Sequence, residues 1–538
     1  MKDVASSKVA PFNLSEFTVG QRAIQNPDAV ALKIISKNPQ NSLPNSWTYS
    51  DLDHAIRNIA HGLLNKGLHP GDFLPLRLRS DTPFALTFFG AIAAGIVPIP
   101  LSPGLTAKEV SFFLKDTDAK HCAVSVNLKM PTELQHHVEQ ITEEEILSFL
   151  EKSQPLSYAK TYEDDPAFLI YSSGTTNKPK GVLHAQRVIK GRLPMQAGWH
   201  QMNKEDIVLH AGEFNWTYTL GVGLMDPWIW GATALIYSAQ TSKEKTPDLW
   251  IELIKAHCAT MFAAVPGVYR QILKYAEPTP EDLKTLRHGL SAGEALNEGL
   301  HNEWQKQTGT KLYEALGQSE ISTYASTTIG IKNIPKTKGQ IQQGRIVTIL
   351  KEEPALTEKT FLKEKPVQET PIECTKGEEG LIAIHKSDPG LMLKYWNRPE
   401  EMKNAFCGDW FITGDRGIID ENNYLTHLGR ADDVMNAQGY RVSPQEIETI
   451  LNSHKEISEA AVFENQIRDD LSIITALLVL KDETLSKTRV LDDLKTSLQD
   501  TLAPYKHPKS FHFIKKLPRN LAGKIIRKEL NNLAPKTL

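Results

Sequence analysis

The chain has 538 residues, which is too long for a single hydrophobic core and predicts two or more domains. A net charge of −3 gives no overall indication of nucleic-acid binding. The four cysteines, Cys122, Cys258, Cys374 and Cys407, contain no CxxC pair, which argues against a disulfide framework or a zinc site and suits a cytoplasmic setting.

The N-terminal part of the chain alternates helix and strand patterns over residues 48–122. A helical repeat of apolar residues begins at Tyr49, with Ser50 as the predicted N-cap. A strand-like run follows at residues 73–78, then a helical run at residues 85–94 and an extended run at residues 97–101. This alternation predicts an α/β fold with largely parallel strands.

The uncharged segment 84–101 is long enough to raise the question of a membrane span. Its glycines and prolines, Gly90, Gly95, Pro98 and Pro100, interrupt it at short intervals. Such interruptions favour a buried helix, a turn and a short strand, so we expect no membrane span.

The stretch 170–184 is the most informative one in the chain. An apolar run up to Tyr171 predicts a buried strand, which ends in hydroxyls, one glycine and two lysines. Backbone N–H groups exposed at a glycine bend, hydroxyl donors and ammonium groups favour a polyphosphate site over a plain surface turn. The Gly-Lys-Ser/Thr ending of a Walker P-loop is missing. The candidate residues are Ser172, Ser173, Gly174, Thr175, Thr176, Asn177, Lys178 and Lys180.

Two later segments, 291–294 and 313–320, also combine glycine with polar residues. Gly317 lets the backbone approach a flat ligand closely, and Ser319 can donate a hydrogen bond to a phosphate oxygen. Glu320 supplies a hard oxygen ligand that suits Mg²⁺. As isolated residues they would more often be a turn and a solvated acid.

The remaining candidate segments lie towards the C-terminus. Residues 351–378 are rich in Lys, Glu, Thr and Pro and predict a surface excursion. Asp415 follows a strand-like run and a Thr-Gly turn, where its carboxylate can accept hydrogen bonds from two ribose hydroxyls. Lys524 follows a glycine in a strongly basic segment, so it can reach a site formed elsewhere, although a solvated surface position is the usual one for lysine.

Together these segments resemble the signatures of AMP-forming acyl-CoA synthetases, in the adenylate-forming superfamily that also contains adenylation domains and luciferases. The family loop reads Ser-Gly-Thr-Thr-Gly-x-Pro-Lys-Gly, and here Asn177 replaces a glycine. Asparagine tolerates left-handed backbone geometry, so we expect the loop shape to survive. Ser319 replaces the commoner threonine, and Ala522 replaces a hydroxyl residue before Gly523 and Lys524. The resemblance covers residues 45–530.

The resemblance implies a large N-terminal domain of α/β layers over residues 1–431, which includes a small β-rich subdomain. It also implies a small, mobile α+β lid domain over residues 432–538, with the hinge at Asp432. The expected small-molecule ligands are ATP, Mg²⁺, CoA and a carboxylic acid, with no nucleic acid. The motifs leave the oligomeric state open.

The resemblance also implies residue roles. Lys524, Thr175 and Glu320 are the expected catalytic residues, with Glu320 holding the metal and Asp415 the ribose. Besides the loop residues named above, ATP and AMP are expected at Ser291, Gly293, Glu294, Glu314, Ala315, Leu316, Gly317, Gln318, Ser319, Asp415, Arg430 and Lys524. CoA is expected at Ala437, Gln438, Gly439, Arg441 and Arg468.

The expected acyl pocket contains Trp216, Val265 and Gly267, although Trp216 is also compatible with a core position. The surrounding tracts resemble medium-chain and benzoate-type acid–CoA ligases, so the substrate is expected to be a medium-chain fatty or aryl acid. Three alternatives stay open: transfer to a carrier-protein thiol or an amine, a luciferase-like oxygenase, and a non-catalytic nucleotide or acyl sensor.

Overall fold

The three-dimensional structure is a computed structural model. It describes residues 10–37, 43–128, 130–131, 137–151, 155–172, 179–239, 241–352, 371–431, 435–437, 440–468, 471–519 and 525–534.

The largest sheet has nine strands. Six neighbouring strands at its centre are parallel, and the strands at both edges are antiparallel. In spatial order the strands are Gln340–Ile341, Ser322–Ser326, Leu312–Gln318, His288–Ala292, Met261–Ala264, Ile207–His210, Thr233–Tyr237, Val30–Ile35 and Ser46–Thr48.

Helices connect the parallel strands of this sheet, namely Pro247–His257, Pro266–Tyr275 and Glu298–Thr308. Because parallel strands end at the same edge, residues from distant parts of the chain become neighbours there. Ala264, Ser291 and Glu314 lie side by side in register on three adjacent strands. This edge therefore brings the nucleotide candidates Ser291 and Glu314 next to the strand end that leads to the acyl-pocket candidate Val265.

A second sheet contains four parallel strands, Val97–Pro100, Phe73–Arg77, His121–Val124 and Glu139–Thr142. The helices packed around it are Tyr49–Asn65, Thr82–Ala93, Ala107–Asp116 and Glu143–Leu150. The parallel α/β architecture predicted for this region is confirmed. The predicted N-cap at Ser50 is wrong, because Thr48 caps the helix Tyr49–Asn65. The Thr48 hydroxyl accepts a hydrogen bond from the backbone N–H of Asp51, and the Asp51 carboxylate accepts one from the backbone N–H of Thr48.

The uncharged segment 84–101 folds as expected into a buried helix and a short strand. Every residue of the helix Thr82–Ala93 is buried by its neighbours in the protein. Within the described part of the chain, no helix is long and apolar enough to cross a membrane.

Two antiparallel sheets complete the N-terminal domain. One contains Pro166–Ser172, Lys180–Ala185 and Lys394–Tyr395, so the predicted strand before the polyphosphate loop is confirmed. The other is the small β-rich subdomain and contains Val347–Leu350, Glu379–His385, Phe406–Cys407, Trp410–Ile419 and Leu425–Arg430.

The C-terminal domain is an α+β unit. Its three-stranded sheet consists of Ile457–Arg468, Leu471–Leu480 and Ser510–Phe513, and a hairpin pairs Met435–Ala437 with Tyr440–Val442. The helices Pro444–Ser453 and Lys487–Thr501 accompany the sheet. Among the described residues, no apolar cluster combines side chains from residues 10–431 with side chains from residues 435–534. Each domain therefore has cores of its own.

The remaining helices are short. They are Glu16–Gly20, Gln21–Gln25, Gln186–Arg192, Gln196–His200, Thr217–Leu220, Gly221–Met225, Asp226–Trp230, Ser242–Glu244, Pro399–Asn404, Pro504–Lys506 and Arg527–Leu530.

Candidate active site

The segment that carries Glu320 forms a tight reversal between two antiparallel strands, Leu312–Gln318 and Ser322–Ser326. A side chain at Gly317 is impossible here, because a Cβ atom would lie 2.1 Å from the carbonyl oxygen of Ser322. Glycine at position 317 therefore has a local steric cause in the close approach of the two strands, in addition to the predicted approach of the backbone to a ligand, which stays a prediction. Leu316, Gln318 and Ser319 are partly exposed.

Glu320 itself is partly exposed, and its carboxylate is oriented by a neighbour. The Tyr395 hydroxyl donates to Oε1 of Glu320 over 2.9 Å. Burial raises the pKa of Tyr395, and the Glu320 carboxylate raises it further, so the phenol stays protonated as a donor. Glu320 is thus an oriented carboxylate at a partly open position.

Glu320, oriented by Tyr395, is suited to bind a magnesium ion that a nucleotide also binds. The described residues contain no group of three or more His, Cys, Asp or Glu that would bind a metal alone. Mg²⁺ in nucleotide sites needs no such group, because one or two carboxylates, phosphate oxygens and waters complete its shell. An oriented, partly exposed Glu320 is a suitable protein ligand of this kind.

The neighbouring nucleotide candidates differ in accessibility. Glu314 is buried, and its Oε1 accepts from Lys338 Nζ at 2.6 Å and from the Leu296 backbone N–H at 2.8 Å. Its carboxylate is therefore already engaged, and Ala315 beside it is buried. Among the described residues the buried Ser291 hydroxyl has no hydrogen-bond partner, and Gly293 has a left-handed φ of +91°.

The polyphosphate loop is described only at its two ends, and residues 173–178 lie outside the described residues. At one end, Ser172 Oγ lies 3.5 Å from the Lys180 carbonyl oxygen. At the other, Lys180 Nζ lies 2.9 Å from Glu401 Oε2 and 4.1 Å from the ring centre of Tyr395. A phosphate contact by Lys180 therefore competes with the Glu401 carboxylate.

Asp415 and Arg430 face each other on paired strands of the small subdomain. Arg430 Nη1 lies 3.5 Å from Asp415 Oδ1 and donates to the Thr413 carbonyl over 3.0 Å. Gly414, which lies between Thr413 and Asp415 in the sequence, has a φ of +78°. The prediction that Asp415 follows a strand is wrong: the strand Trp410–Ile419 continues through it, because its neighbour Leu425–Arg430 pairs with it on both sides of a register shift.

The acyl-pocket candidates are partly exposed at the ends of elements. Val265 follows the strand Met261–Ala264 and is the N-cap residue of the helix Pro266–Tyr275, which contains Gly267. A Cβ atom on Gly267 would meet nothing within 4 Å, and one on Gly293 would lie 3.8 Å from Val265 Cγ1. Trp216 precedes the short helix Thr217–Leu220 and is not fully buried. Val265 and Gly293 thus bring the acyl and nucleotide candidates together.

The C-terminal candidates are only partly within the described residues. Ala437 lies in the hairpin, opposite Tyr440, and Arg441 and Arg468 are described in their backbone alone. Asp432, Gln438, Gly439 and Lys524 lie outside the described residues.

The described segment that leads to Lys524 contacts the N-terminal domain. Arg519 and Ile525 form an antiparallel bridge, so the chain returns on itself between them. Arg519 Nη1 lies 2.8 Å from Oε1 of Glu294, which belongs to the segment 291–294. Arg519 also pairs with Glu459, which in turn pairs with Arg270, each at 2.6 Å. Burial raises the pKa of Glu294, whereas Arg519 and then Arg270 oppose that rise. Ion pairs of Arg519 with Glu294 and of Glu459 with Arg270 therefore link the two domains next to the candidate nucleotide site.

Sequence reasoning missed four residues that support the Glu320 segment: His184, Arg192, Arg345 and Tyr395. Only His184 gives a local signal, because it is a polar residue that ends the apolar run Val182–Leu183.

Comparison with known proteins identifies the family. A family model described as AMP-binding enzyme matches residues 20–396, and one described as AMP-binding enzyme C-terminal domain matches residues 446–524. Benzoate–CoA ligase of Thauera aromatica is 31% identical over 502 residues, covering 90% of this chain and 91% of that protein. The mitochondrial acyl-coenzyme A synthetase ACSM1 of Mus musculus is 30% identical over 490 residues, covering 87% and 81%.

A solved benzoate CoA ligase from Burkholderia xenovorans LB400 superimposes with a TM-score of 0.82 at 25% identity, over 97% of this chain and 100% of that chain. The family models match both domains and most of the chain. The chain therefore belongs to the family of AMP-binding enzymes, among relatives that are named acyl-CoA ligases.

Proposed function

We propose that this enzyme activates a carboxylic acid with ATP and transfers the acyl group to CoA. In the first half-reaction a carboxylate oxygen attacks the α-phosphorus of ATP, which forms acyl-AMP and releases pyrophosphate. In the second, the CoA thiolate attacks the acyl carbon and AMP leaves. The observation that carries the proposal is the Arg519–Glu294 ion pair, which brings the segment preceding Lys524 to the candidate nucleotide turn.

The first half-reaction needs positioning and charge stabilisation more than covalent chemistry. Lys524 is proposed to bridge the substrate carboxylate and an α-phosphate oxygen. Thr175 and Thr176 are proposed to hold the pyrophosphate by hydroxyl and backbone contacts. Glu320, oriented by Tyr395, would hold Mg²⁺, which neutralises charge on the phosphate oxygens. Asp415 is proposed to accept hydrogen bonds from the ribose.

The second half-reaction is proposed to follow rotation of the C-terminal domain about Asp432. Rotation withdraws Lys524 and brings the Gln438–Gly439 segment to the site, where glycine leaves room for the pantetheine arm. The separate apolar cores of the two domains support such a movement, because rotation leaves both intact.

Replacing Asp432 by proline is expected to stop thioester formation and spare adenylation. Proline fixes φ near −65°, so the hinge loses the freedom that rotation requires. Pyrophosphate release in the absence of CoA should stay within about threefold of the parent, whereas CoA-dependent turnover should fall about 100-fold. The Asp432→Ala variant, which keeps φ free, is the matched control. Normal turnover by the proline variant would contradict the hinge assignment.

The acid is proposed to be a medium-chain fatty or aryl acid. The similarity to a protein named benzoate–CoA ligase supports an aryl acid. Trp216 and Val265 supply aromatic and apolar surface at the candidate pocket, and such surface suits either an alkyl chain or an aromatic ring.

The decisive experiment is pyrophosphate release from Mg-ATP with acetate, butyrate, octanoate, palmitate or benzoate, each with and without CoA. We expect AMP and thioester to form with octanoate or benzoate only when CoA is present. A slow single burst of pyrophosphate that CoA does not accelerate would indicate another acyl acceptor. ATP binding with no pyrophosphate from any acid would contradict the adenylation proposal for these acid classes.

A further inference from the structure

Residues 318–323, termed the Glu320 turn here, are held by groups from other parts of the chain. The His184 ring Nε2 bonds the Ser319 carbonyl and the Met392 backbone N–H bonds the Glu320 carbonyl, each at 2.8 Å. Arg345 Nη2 donates to the Ile321 carbonyl at 2.9 Å and to the Thr323 carbonyl at 2.5 Å. The backbone on both sides of Glu320 is therefore fixed from outside its own strands.

Ser322 is the conformationally unusual member of this turn. Its φ is +68°, in the left-handed region that residues other than glycine rarely adopt. Its Oγ accepts from Arg192 Nη1 over 2.6 Å. Its carbonyl oxygen occupies the space that a side chain at Gly317 would need. The Arg192–Ser322 bond thus stabilises a backbone conformation with intrinsic strain.

Arg192 is itself rigidly placed. Its Nε lies 2.5 Å from Asp226 Oδ1 and its Nη2 lies 2.7 Å from Asp226 Oδ2, a bidentate pair. The two side chains are only 7% and 1% exposed. A planar guanidinium can satisfy a carboxylate on one side and present its remaining N–H groups at a fixed angle on another. The third nitrogen of Arg192 is directed at Ser322 in this way.

Arg345 repeats the arrangement at other atoms of the same turn, the carbonyl oxygens of Ile321 and Thr323. Its Nη1 lies 2.7 Å from Asp388 Oδ1, and both side chains are completely buried. Asp388 also accepts from the backbone N–H groups of Ile346 and Gly390. A buried ion pair is weak evidence for stability, because desolvation offsets much of the attraction. Two such pairs that meet on one short turn instead indicate a need to fix its geometry.

We propose that Arg192, acting through Ser322, is a positioning residue that orients Glu320 for the metal-bound pyrophosphate of ATP. This inference rests on the proposed adenylation function and adds residues with no expected contact to substrate. Substitution of residues that orient a metal's protein ligands typically lowers metal affinity about 10- to 100-fold. The expected consequence of losing the Arg192–Ser322 bond is therefore a weaker response to Mg²⁺ in an otherwise intact fold.

The test uses Ser322→Ala and Ser322→Gly, which remove the acceptor and leave the Arg192–Asp226 pair in place. Alanine keeps the backbone strain, whereas glycine relieves it. ATP binding is measured by calorimetry at increasing Mg²⁺, without acid or CoA, so that no turnover occurs. Added Mg²⁺ should raise the affinity for ATP, and we expect the Mg²⁺ concentration that gives half of this increase to be about tenfold higher in both variants. The affinity for ATP measured in EDTA, without Mg²⁺, should be unchanged.

Two comparisons separate positioning from general destabilisation. In a Glu320→Ala background, Ser322→Ala should add no further loss, because its effect acts through the Glu320 carboxylate. Ser326→Ala is the matched control: Ser326 lies in the same strand and donates to the Gly198 carbonyl over 2.7 Å, away from Glu320. It should leave the Mg²⁺ response unchanged.

A parental Mg²⁺ response in both Ser322 variants would overturn the inference. So would an equal loss in the Ser326→Ala control or an additive loss in the Glu320→Ala background. Absence of ATP binding by the parent enzyme would overturn the proposed function, and the inference with it.

Discussion

Replacing Lys524 by alanine is expected to slow acyl-adenylate formation about 100- to 1,000-fold, while thioester formation from added acyl-AMP and CoA stays within about threefold of the parent. The Lys524 ammonium group is proposed to stabilise charge on the α-phosphate and to orient the attacking carboxylate. Thioester formation is spared because added acyl-AMP is already the product of that step. The measurement is pyrophosphate release for the first half-reaction and thioester formation for the second.

The control for this variant is Lys515→Ala. Lys515 is an exposed lysine of the same basic segment, so it tests the effect of removing one positive charge from the domain. Both half-reactions should proceed normally in the control. An equal fall of both half-reactions in Lys524→Ala would contradict the assignment, since it would indicate a damaged fold or a role common to both steps.

The fold is expected to lose stability steeply between pH 6.5 and pH 4. Burial lowers the pKa of His184, His200 and His288 from 6.5 to about 4, and that of His210 to about 3. The unfolded chain binds a proton at each of these histidines below pH 6.5, whereas the folded chain keeps them neutral. Their contribution to stability is therefore complete above pH 6.5 and is lost as the pH falls towards 4.

The size of this effect follows from proton linkage. As the pH falls, each histidine lowers the free energy of unfolding by at most about 1.4 kcal/mol per pH unit, so the four together lower it by at most about 6 kcal/mol per unit. Between pH 6.5 and pH 5 the four histidines together remove about 8 kcal/mol, which is comparable to the whole stability of an ordinary domain, about 5–15 kcal/mol. We expect the urea unfolding midpoint of the N-terminal domain, which contains all four histidines, to fall sharply between pH 6.5 and pH 5, and this domain to unfold near pH 5.

The matched variant is His288→Gln, because glutamine can keep the bond to the His200 carbonyl oxygen, which lies 3.1 Å from His288 Nε2. It should reduce the pH slope of the unfolding free energy by about one proton. The same substitution at His69 is the control, since its side chain is 79% exposed in the folded protein. An unfolding free energy that stays constant from pH 7 to pH 5 would contradict the prediction.

The sequence was informative wherever chemistry is local. Gly317 and Glu320 lie within one short segment, and the loop of hydroxyl residues and lysines follows directly after a strand that an apolar run predicts. The N-cap at Thr48 was missed by two positions, because several hydroxyl residues near a helix start compete and only the Asp51 carboxylate decides between them.

The supporting contacts of the Glu320 turn could not be predicted in the same way. Arg192 and Ser322 are 130 positions apart, and nothing in either neighbourhood indicates the other. The contact exists because the helical segment Gln186–Arg192 and the strand Ser322–Ser326 pack together in the folded domain. Arg345 and Asp388 likewise have no local pattern, since a buried charge pair resembles two surface residues until the fold encloses it.

The charged join between the two domains has a consequence for the enzyme in a crowded solution. Arg270, Glu459, Arg519 and Glu294 form a line of ion pairs across it, and no apolar cluster of the described residues crosses it. Separating the two domains at this contact therefore exposes charged side chains, which water solvates well, and no apolar surface of the described residues. The domain rotation proposed above would therefore separate the two domains at each catalytic cycle without exposing an apolar surface on which neighbouring molecules aggregate.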